Sequence, residues 1–364
     1  MIALRTTLPA PVVATAAASA TAAPDAAGAP RETYDAGGVE LPDGELGKLV
    51  RDEASAASGD VPVDAAHDHA GIVRDFLRDV LGRDSIDGAG MVLQSTAHYG
   101  KGYNNAFWNG SSMTYGDGDG KTFSPLSQSL DVVGHEMMHG VTERTAGLRY
   151  EQQSGTLNES FSDVFGELME QWAGDRDSFG TPDAAKAADW LVGEDTFTPG
   201  TAGDALRSMK APGTAYPKDP QPAHMDQYVE TTQDNGGVHI NSGIPNKAAY
   251  EAALRIGGEK LAKIWYSALT ERLQADATFQ DAANATVDAA IALYQDGTEA
   301  QAIRDAWTSV GLVPGAAAPD QPKQPAPPAP SNVPNPGVVP PWFRPDRVIP
   351  TFERAPRAGE VVTV

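Results

Sequence analysis

DVVGHEMMHG, residues 131–140, decides how the rest of the chain is read. It falls within SLDVVGHEMMHGVTERTAG (129–147), whose apolar spacing reads as one helix stopped by Gly147. An α-helix has about 3.6 residues per turn, so His135 and His139 project from the same face. That spacing lets both imidazoles reach one zinc ion, with Glu136 leaning over a water held by it. Alone, the H-E-x-x-H pentapeptide leaves two readings open, a zinc site or an ordinary charged helix face.

A catalytic zinc takes three protein ligands and keeps one position open. NESFSD, on the next expected helix (157–174), offers Glu159, with nineteen residues between it and His139. Asp163 lies one turn further along the same face. There it can accept the other ring N–H of a ligand histidine and fix its tautomer, and Asn158 can serve the second histidine. Glu170, eleven residues beyond Glu159, shares that face. It stands about 16 Å further along the axis, however, too far to reach the zinc. Its neighbours in sequence include Asp175, Asp177, Asp183, Asp189, Glu194 and Asp195, while Asp131 sits one turn before His135. Carboxylates gathered this way repel one another unless a cation binds them, so a calcium site apart from the zinc is expected.

The 364 residues carry a formal net charge of −22 and no cysteine. The charge argues against nucleic acid or an anionic membrane as a partner, and no apolar run approaches the ~20 residues that span a bilayer. Without disulfides, bound calcium is an available staple for a secreted chain. Residues 1–32, biased to Ala, Thr and Pro, read as a weak secretory signal or the remnant of a pro-segment. Residues 314–364 read as a proline-rich, disordered tail. Between them, 69–83 reads as an amphipathic helix, and 91–100 and 105–123 as strands with GDGDG (116–120) as a turn. Residues 241–258, 259–274, 278–295 and 298–311 read as further helices. The expected fold is α+β and two-lobed. A strand-rich N-terminal lobe (33–150) bears the zinc helix, a helical C-terminal lobe (151–313) follows, and the site lies in the cleft between them.

Several separated blocks resemble the thermolysin-like zinc metallopeptidases, and among them the shorter, protealysin-like branch. They are YNNAFWNG (103–110), YGDGDGKTF (115–123), DVVGHEMMHGVTERTAGLRY (131–150), NESFSDVFGELME (158–170), GDALRSM (203–209) and DNGGVHINSGIPNKAAY (234–250). Carried over position by position, the resemblance implies that His135, His139 and Glu159 hold zinc. Glu136 then deprotonates the zinc-bound water and passes the proton to the leaving amine. His239 and Tyr150 donate to the oxyanion, and Asp234 orients His239. Asn105 and the backbone of Ala106 grip an extended substrate beside an edge strand, and Arg207 contacts the substrate carbonyl on the leaving side. Phe123, Leu126, Val132, Val192 and Leu206 match an apolar pocket for the residue just after the cut bond. Asp131, Glu170, Asp189 and Glu194 match a double calcium site. The chain departs from thermolysin itself in a shorter first lobe and in extra residues between Glu170 and Asp189. Phe197 also stands where such proteins often have tyrosine, and Thr198, Thr201 and Asp204 remain available for a further calcium.

The function expected is therefore a neutral zinc endopeptidase, secreted and monomeric, cutting protein and peptide chains before bulky apolar residues. Cytoplasmic residence is the alternative compartment. Two other functions compete. A zinc aminopeptidase also uses H-E-x-x-H and a distant glutamate, but with eighteen residues between, a spacing that lands on Asn158 here. No G-x-M-E-N-type stretch is present to hold a free amino terminus. A catalytically inactive zinc-binding protein would have no need of Glu136, Tyr150 and His239.

Overall fold

The computed structural model describes residues 28–42 and 44–315. Most of the expected leader and of the proline-rich tail thus lies outside the described residues. The N-terminal lobe holds a five-stranded sheet of β1 (Arg31–Asp35), β2 (Lys48–Asp52), β3 (Leu93–Ala97), β4 (Ala106–Trp108) and β5 (Met113–Tyr115). Their order is β2-β1-β3-β5-β4, which leaves β4 at one edge. β3 pairs in parallel with β1 and β5, while the β1–β2 and β4–β5 pairs are antiparallel. The last hairpin turns at residues 109–112, not at GDGDG. Asn109 Oδ1 accepts from the amides of Ser111 (2.9 Å) and Ser112 (2.8 Å), and Gly110 takes a φ of 95° that side chains rarely adopt. GDGDG instead follows β5 as a loop.

One long helix, α1 (Val61–Asp79), packs on β1 and β3 of the sheet, and its buried Phe76 meets the rings of Trp172 and Phe179 edge-on at 5.6 and 6.0 Å. It begins eight residues before the expected start, because Asp60 caps it and Pro62 opens its first turn. It ends with Gly82 N bonded to Arg78 O (3.1 Å) and Arg83 N bonded to Leu77 O (2.8 Å), a glycine-terminated cap.

The centre of the molecule is the crossing of α2 (Leu130–Glu143) and α3 (Gln152–Gly174). Two glycines let them approach closely. A Cβ on Gly134 would stand 2.8 Å from Met169 Sδ and 3.1 Å from Gly166 Cα. One on Gly166 would collide with the Asp131 carbonyl and lie 3.2 Å from His135 N. The helix-propensity cost of each glycine, about 1 kcal/mol relative to Ala, is thus tied to a contact that no larger residue permits. α3 starts five residues before the expected 157. Gly155 allows that first turn, since its Cβ would meet Val238 Cγ1 at 2.6 Å and Tyr150 C at 2.8 Å.

The C-terminal lobe adds α4 (Pro182–Ala187), α5 (Asp234–Asn241), α6 (Gly243–Ile256), α7 (Gly258–Glu271), α8 (Phe279–Leu293) and α9 (Thr298–Ser309). A two-stranded ribbon, β6 (Leu191–Val192) with β7 (Arg207–Ser208), lies beside α3. Trp265 and Trp307 stack at 6.4 Å in the bundle core, and Trp307 Nε1 donates to Thr286 Oγ1 at 2.8 Å. α6 to α9 match the four helices expected from apolar periodicity to within a few residues. β1, β2, α4, α5 and the ribbon were not expected: they are short, and their sequences carry little periodicity. Among the described residues no helix is long and apolar enough to cross a membrane.

Candidate active site

His135 and His139 project from one face of α2 toward α3, as their spacing requires. His135 Nδ1 lies 2.8 Å from Asp163 Oδ1, and His139 Nδ1 lies 2.7 Å from Asn158 Oδ1. In the tautomer that puts each ring proton on Nδ1, on the side of Asp163 and Asn158, each Nε2 carries a lone pair, and the two Nε2 atoms face each other at 3.1 Å. The fully buried Glu159 brings one carboxylate oxygen to 3.5 Å from each Nε2. Its Oε2 has no hydrogen-bond partner. Two lone pairs and a carboxylate converging in a buried space repel one another unless a cation lies between them. Ligands of a tetrahedral zinc, about 2.0–2.1 Å from the metal, lie about 3.3 Å apart, and these three groups have that spacing.

The electrostatics point the same way. Burial alone would depress the His135 pKa, but Asp163 and Glu159 outweigh it and push it up to about 10. Burial lowers His139 to about 4; Glu159 opposes the fall and the His135 ring deepens it. The two rings compete for one positive charge, a conflict that a shared cation removes.

Asp163 is the hub behind this centre. Its Oδ1 receives Arg207 Nη2 (2.6 Å) and lies against His135 Nδ1, and its Oδ2 receives Arg207 Nε (2.7 Å) and Asn246 Nδ2 (2.8 Å). Burial would raise its pKa, yet Arg207 and His135 hold it at about 2. Asn246, on α6, escaped sequence reasoning; its only signal was its place in the GIPNKAAY block.

Glu136, next to His135, is 4 % exposed and its Oε2 has no partner. Burial pushes its pKa up to about 7, against the opposing charge of His135 and with Glu159 adding to the rise. On the far side of Glu159, Tyr150 Oη donates to Glu159 Oε1 and lies 3.2 Å from His239 Nε2. Asp234 holds His239 twice, Oδ1 to Nδ1 at 2.6 Å and Oδ2 to the backbone N at 2.8 Å. Burial would lower the His239 pKa, but Glu159 and Asp234 raise it to about 9.

Several of these groups open on one cleft. His135, Glu136, Glu159 and His239 form its polar side. Val132, Val192 and Leu206 form the apolar side, with Arg207 beside them. The ribbon sets Val192 directly opposite Arg207. Phe123 and Leu126, expected in this pocket, are fully buried and are not among its lining residues. Edge strand β4 begins at Ala106 and is braced on α2, where Trp108 Nε1 donates to Glu143 Oε2 at 3.1 Å. A Cβ on Gly140 would come within 2.9 Å of that indole. Asn105, just before the strand, is buried with its Oδ1 unpartnered.

On the other side of the helix crossing, Asp131, Glu170 and Glu194 bring carboxylate oxygens within 4.8 Å of one another. Burial and mutual repulsion raise Glu170 to about 9 and Glu194 to about 8, and Asp131 is raised as well. Asp189 is exposed and lies outside that trio, though its charge reaches Glu170 and Glu194. Glu167, one turn before Glu170, was not anticipated; it is buried with its Oε2 unpartnered, and burial pushes its pKa well up. Thr198 Oγ1 donates to Asp204 Oδ2 at 3.1 Å.

Comparison with known proteins agrees with this geometry. Residues 17–143 match the thermolysin metallopeptidase catalytic domain, and residues 146–312 match the thermolysin metallopeptidase alpha-helical domain. An extracellular metalloprotease of Pectobacterium carotovorum subsp. carotovorum is 46% identical over 275 residues, 73% of this chain and 77% of that protein. Protease PrtS of Photorhabdus sp. (strain Az29) is 45% identical over 294 residues, 78% of this chain and 76% of that one. The solved precursor of protealysin, a metalloproteinase from Serratia proteamaculans, matches with a TM-score of 0.72 at 47% identity, covering 78% of this chain and 88% of that chain. The zinc cluster, the two-lobed α+β fold and these matches agree: the chain belongs to the thermolysin family of metallopeptidases and is a zinc-dependent endopeptidase.

Proposed function

We propose that this enzyme is secreted and cuts protein and peptide chains on the amino side of bulky apolar residues, with Glu136 as the proton carrier. One observation carries the reading: the His135–His139–Glu159 cluster and the unpartnered Glu136 share a cleft with an apolar wall of Val132, Val192 and Leu206. His135, His139 and Glu159 would hold the zinc, which when bound acidifies a water and polarises a carbonyl.

The remaining steps belong to the chain's own side chains. Glu136 accepts a proton from the attacking water and delivers it to the amine as the C–N bond breaks; a carboxylate titrating near 7 suits both transfers. His239 Nε2 and Tyr150 Oη donate to the oxygen that gains negative charge, and Asp234 keeps the His239 ring oriented. Asn105 and the Ala106 backbone hold an extended substrate at the open edge of β4, which fixes the scissile bond without demanding a sequence. Arg207 binds the carbonyl on the leaving side, its guanidinium fixed by Asp163. The apolar wall of Val132, Val192 and Leu206 selects the residue after the cut.

Asp131, Glu170 and Glu194 would bind calcium, with Asp189 contributing from the rim. One chain supplies every proposed group, in keeping with a monomer divided near residue 150. Secretion is supported by the name of the Pectobacterium relative, an extracellular metalloprotease. The test is digestion of amino-blocked peptides followed by mass spectrometry of the new amino termini. Leu, Phe, Ile and Val are expected at those termini; no cleavage of blocked peptides, or termini without apolar preference, would refute the reading.

A further inference from the structure

His239 sits in a short, irregular stretch of backbone, packed on α3 and tied at Asn241 to the backbone of Val229. Asp234, Asn235, Gly236 and Gly237 all have positive φ, at 50°, 50°, 91° and 79°. The right-handed part of α5 is therefore residues 238–241, and α6 begins afresh after Ser242. A single helical turn fixes its dihedrals for too few hydrogen bonds to be stable alone. Asp234 and Ser242 both bond to His239, the latter through Oγ to the carbonyl at 3.0 Å, but both belong to the same short segment.

Gln221 comes from a separate loop. Its Nε2 donates to the His239 carbonyl at 2.7 Å and to Ser242 Oγ at 2.9 Å. The side chain is buried and its Oε1 has no protein partner, so these two acceptors set its orientation. The loop is itself braced. Asp219 accepts from the amides of Gly213 (3.0 Å), Ala215 (3.1 Å) and Gln221 (3.0 Å). Ala205 N, two residues before Arg207, donates to Ala215 O at 3.1 Å. The loop also lies hard against the α5–α6 junction: a Cβ on Gly243 would stand 2.6 Å from Pro222 O and 3.0 Å from Gln221 Cβ.

We infer that Gln221 is a positioning residue that fixes His239, through its backbone carbonyl, to the same loop frame that carries Arg207. The inference rests on the reading of His239 as the donor to the developing oxyanion. Donors of this kind act only when pre-set to within a fraction of an ångström, so losing the tie at the His239 carbonyl reduces turnover more than binding.

The test is a double-mutant cycle on the zinc-loaded enzyme with an amino-blocked peptide. Gln221→Met keeps the chain length and removes both donors. It is expected to lower kcat about tenfold, with KM and zinc content within about twofold of the parent. In a His239→Ala background the same change is expected to alter kcat by less than about twofold, because the group it acts through is gone. Equal losses in both backgrounds, or no loss in the parent, overturn the inference. Should Gln221→Met not fold, Gln221→Glu, which keeps the shape but sets an acceptor in place of the donor facing the His239 carbonyl, goes through the same cycle with the same two outcomes. A His239→Ala enzyme at the parental rate overturns the reading of His239 itself, a result distinct from an additive cycle.

Discussion

Tyr150 and His239 stand 3.2 Å apart at the edge of Glu159, and the proposed mechanism gives them one task, donating to charge that exists only as the bond breaks. Tyr150→Phe and His239→Ala are each expected to lower kcat about 10²–10³-fold, the range for removing one such donor. KM should move little; a rise in KM with kcat intact would assign them to ground-state binding instead. Arg207 behaves differently. Its planar fork spans both oxygens of Asp163, a geometry that a lysine cannot copy. Arg207→Lys is expected to raise KM for substrates extended past the cut bond and to lower the melting temperature, both measurable on one preparation. At this scale the zinc residues were legible, because two histidines four apart and acids on the next helix follow from helix geometry alone. Asn246 and Gln221 were not, because a side-chain amide reaching a carboxylate or carbonyl from a distant loop leaves no periodic trace.

α2 and α3 do more than carry ligands. Their glycine crossing sets the zinc cluster and the acidic cluster on opposite sides of one contact, with His135 and Asp131 one turn apart on α2 and Glu159 and Glu170 on α3. Gly166→Ala forces the helices apart at the Asp131 carbonyl. It is expected to destabilise the protein by about 1–3 kcal/mol, the usual cost of overpacking, and to weaken zinc retention against a chelator. Gly174→Ala, with nothing within 4 Å of the new Cβ, is the control and should leave both unchanged or slightly improved. The long helices were legible because their apolar periodicity runs over many turns. β1 and β2 were not: RETYD and KLVRD are five residues each, mostly polar, and acquire their identity only by pairing. The left-handed run at residues 234–237 was not anticipated either, since four successive positive φ values leave no apolar period to read.

The molecule as a whole carries a formal charge of −22, and its stability depends on how the buried part of that charge is neutralised. Glu170 and Glu194 have an ordinary carboxyl value of 4.5 when unfolded, but about 9 and about 8 in the fold. Between those limits the folded state keeps protons that the unfolded state has released, so stability falls as pH rises from about 4.5 to about 9. Calcium bound to the ionised carboxylates removes that penalty. The melting temperature of the zinc-loaded protein in calcium, minus that in a calcium-selective chelator, is therefore expected to grow with pH across this window. A difference that is flat or shrinks with pH would dissociate the acidic cluster from calcium.

The central claim is that Glu136 moves the proton at a zinc centre held by His135, His139 and Glu159. Its most direct test is the hydrolysis rate of an amino-blocked peptide by Glu136→Gln, with zinc content measured on the same sample. The account predicts one zinc per chain and a rate reduced by at least about 10²–10⁴-fold, the usual share of a general base. A zinc-loaded Glu136→Gln enzyme working at the parental rate would contradict it.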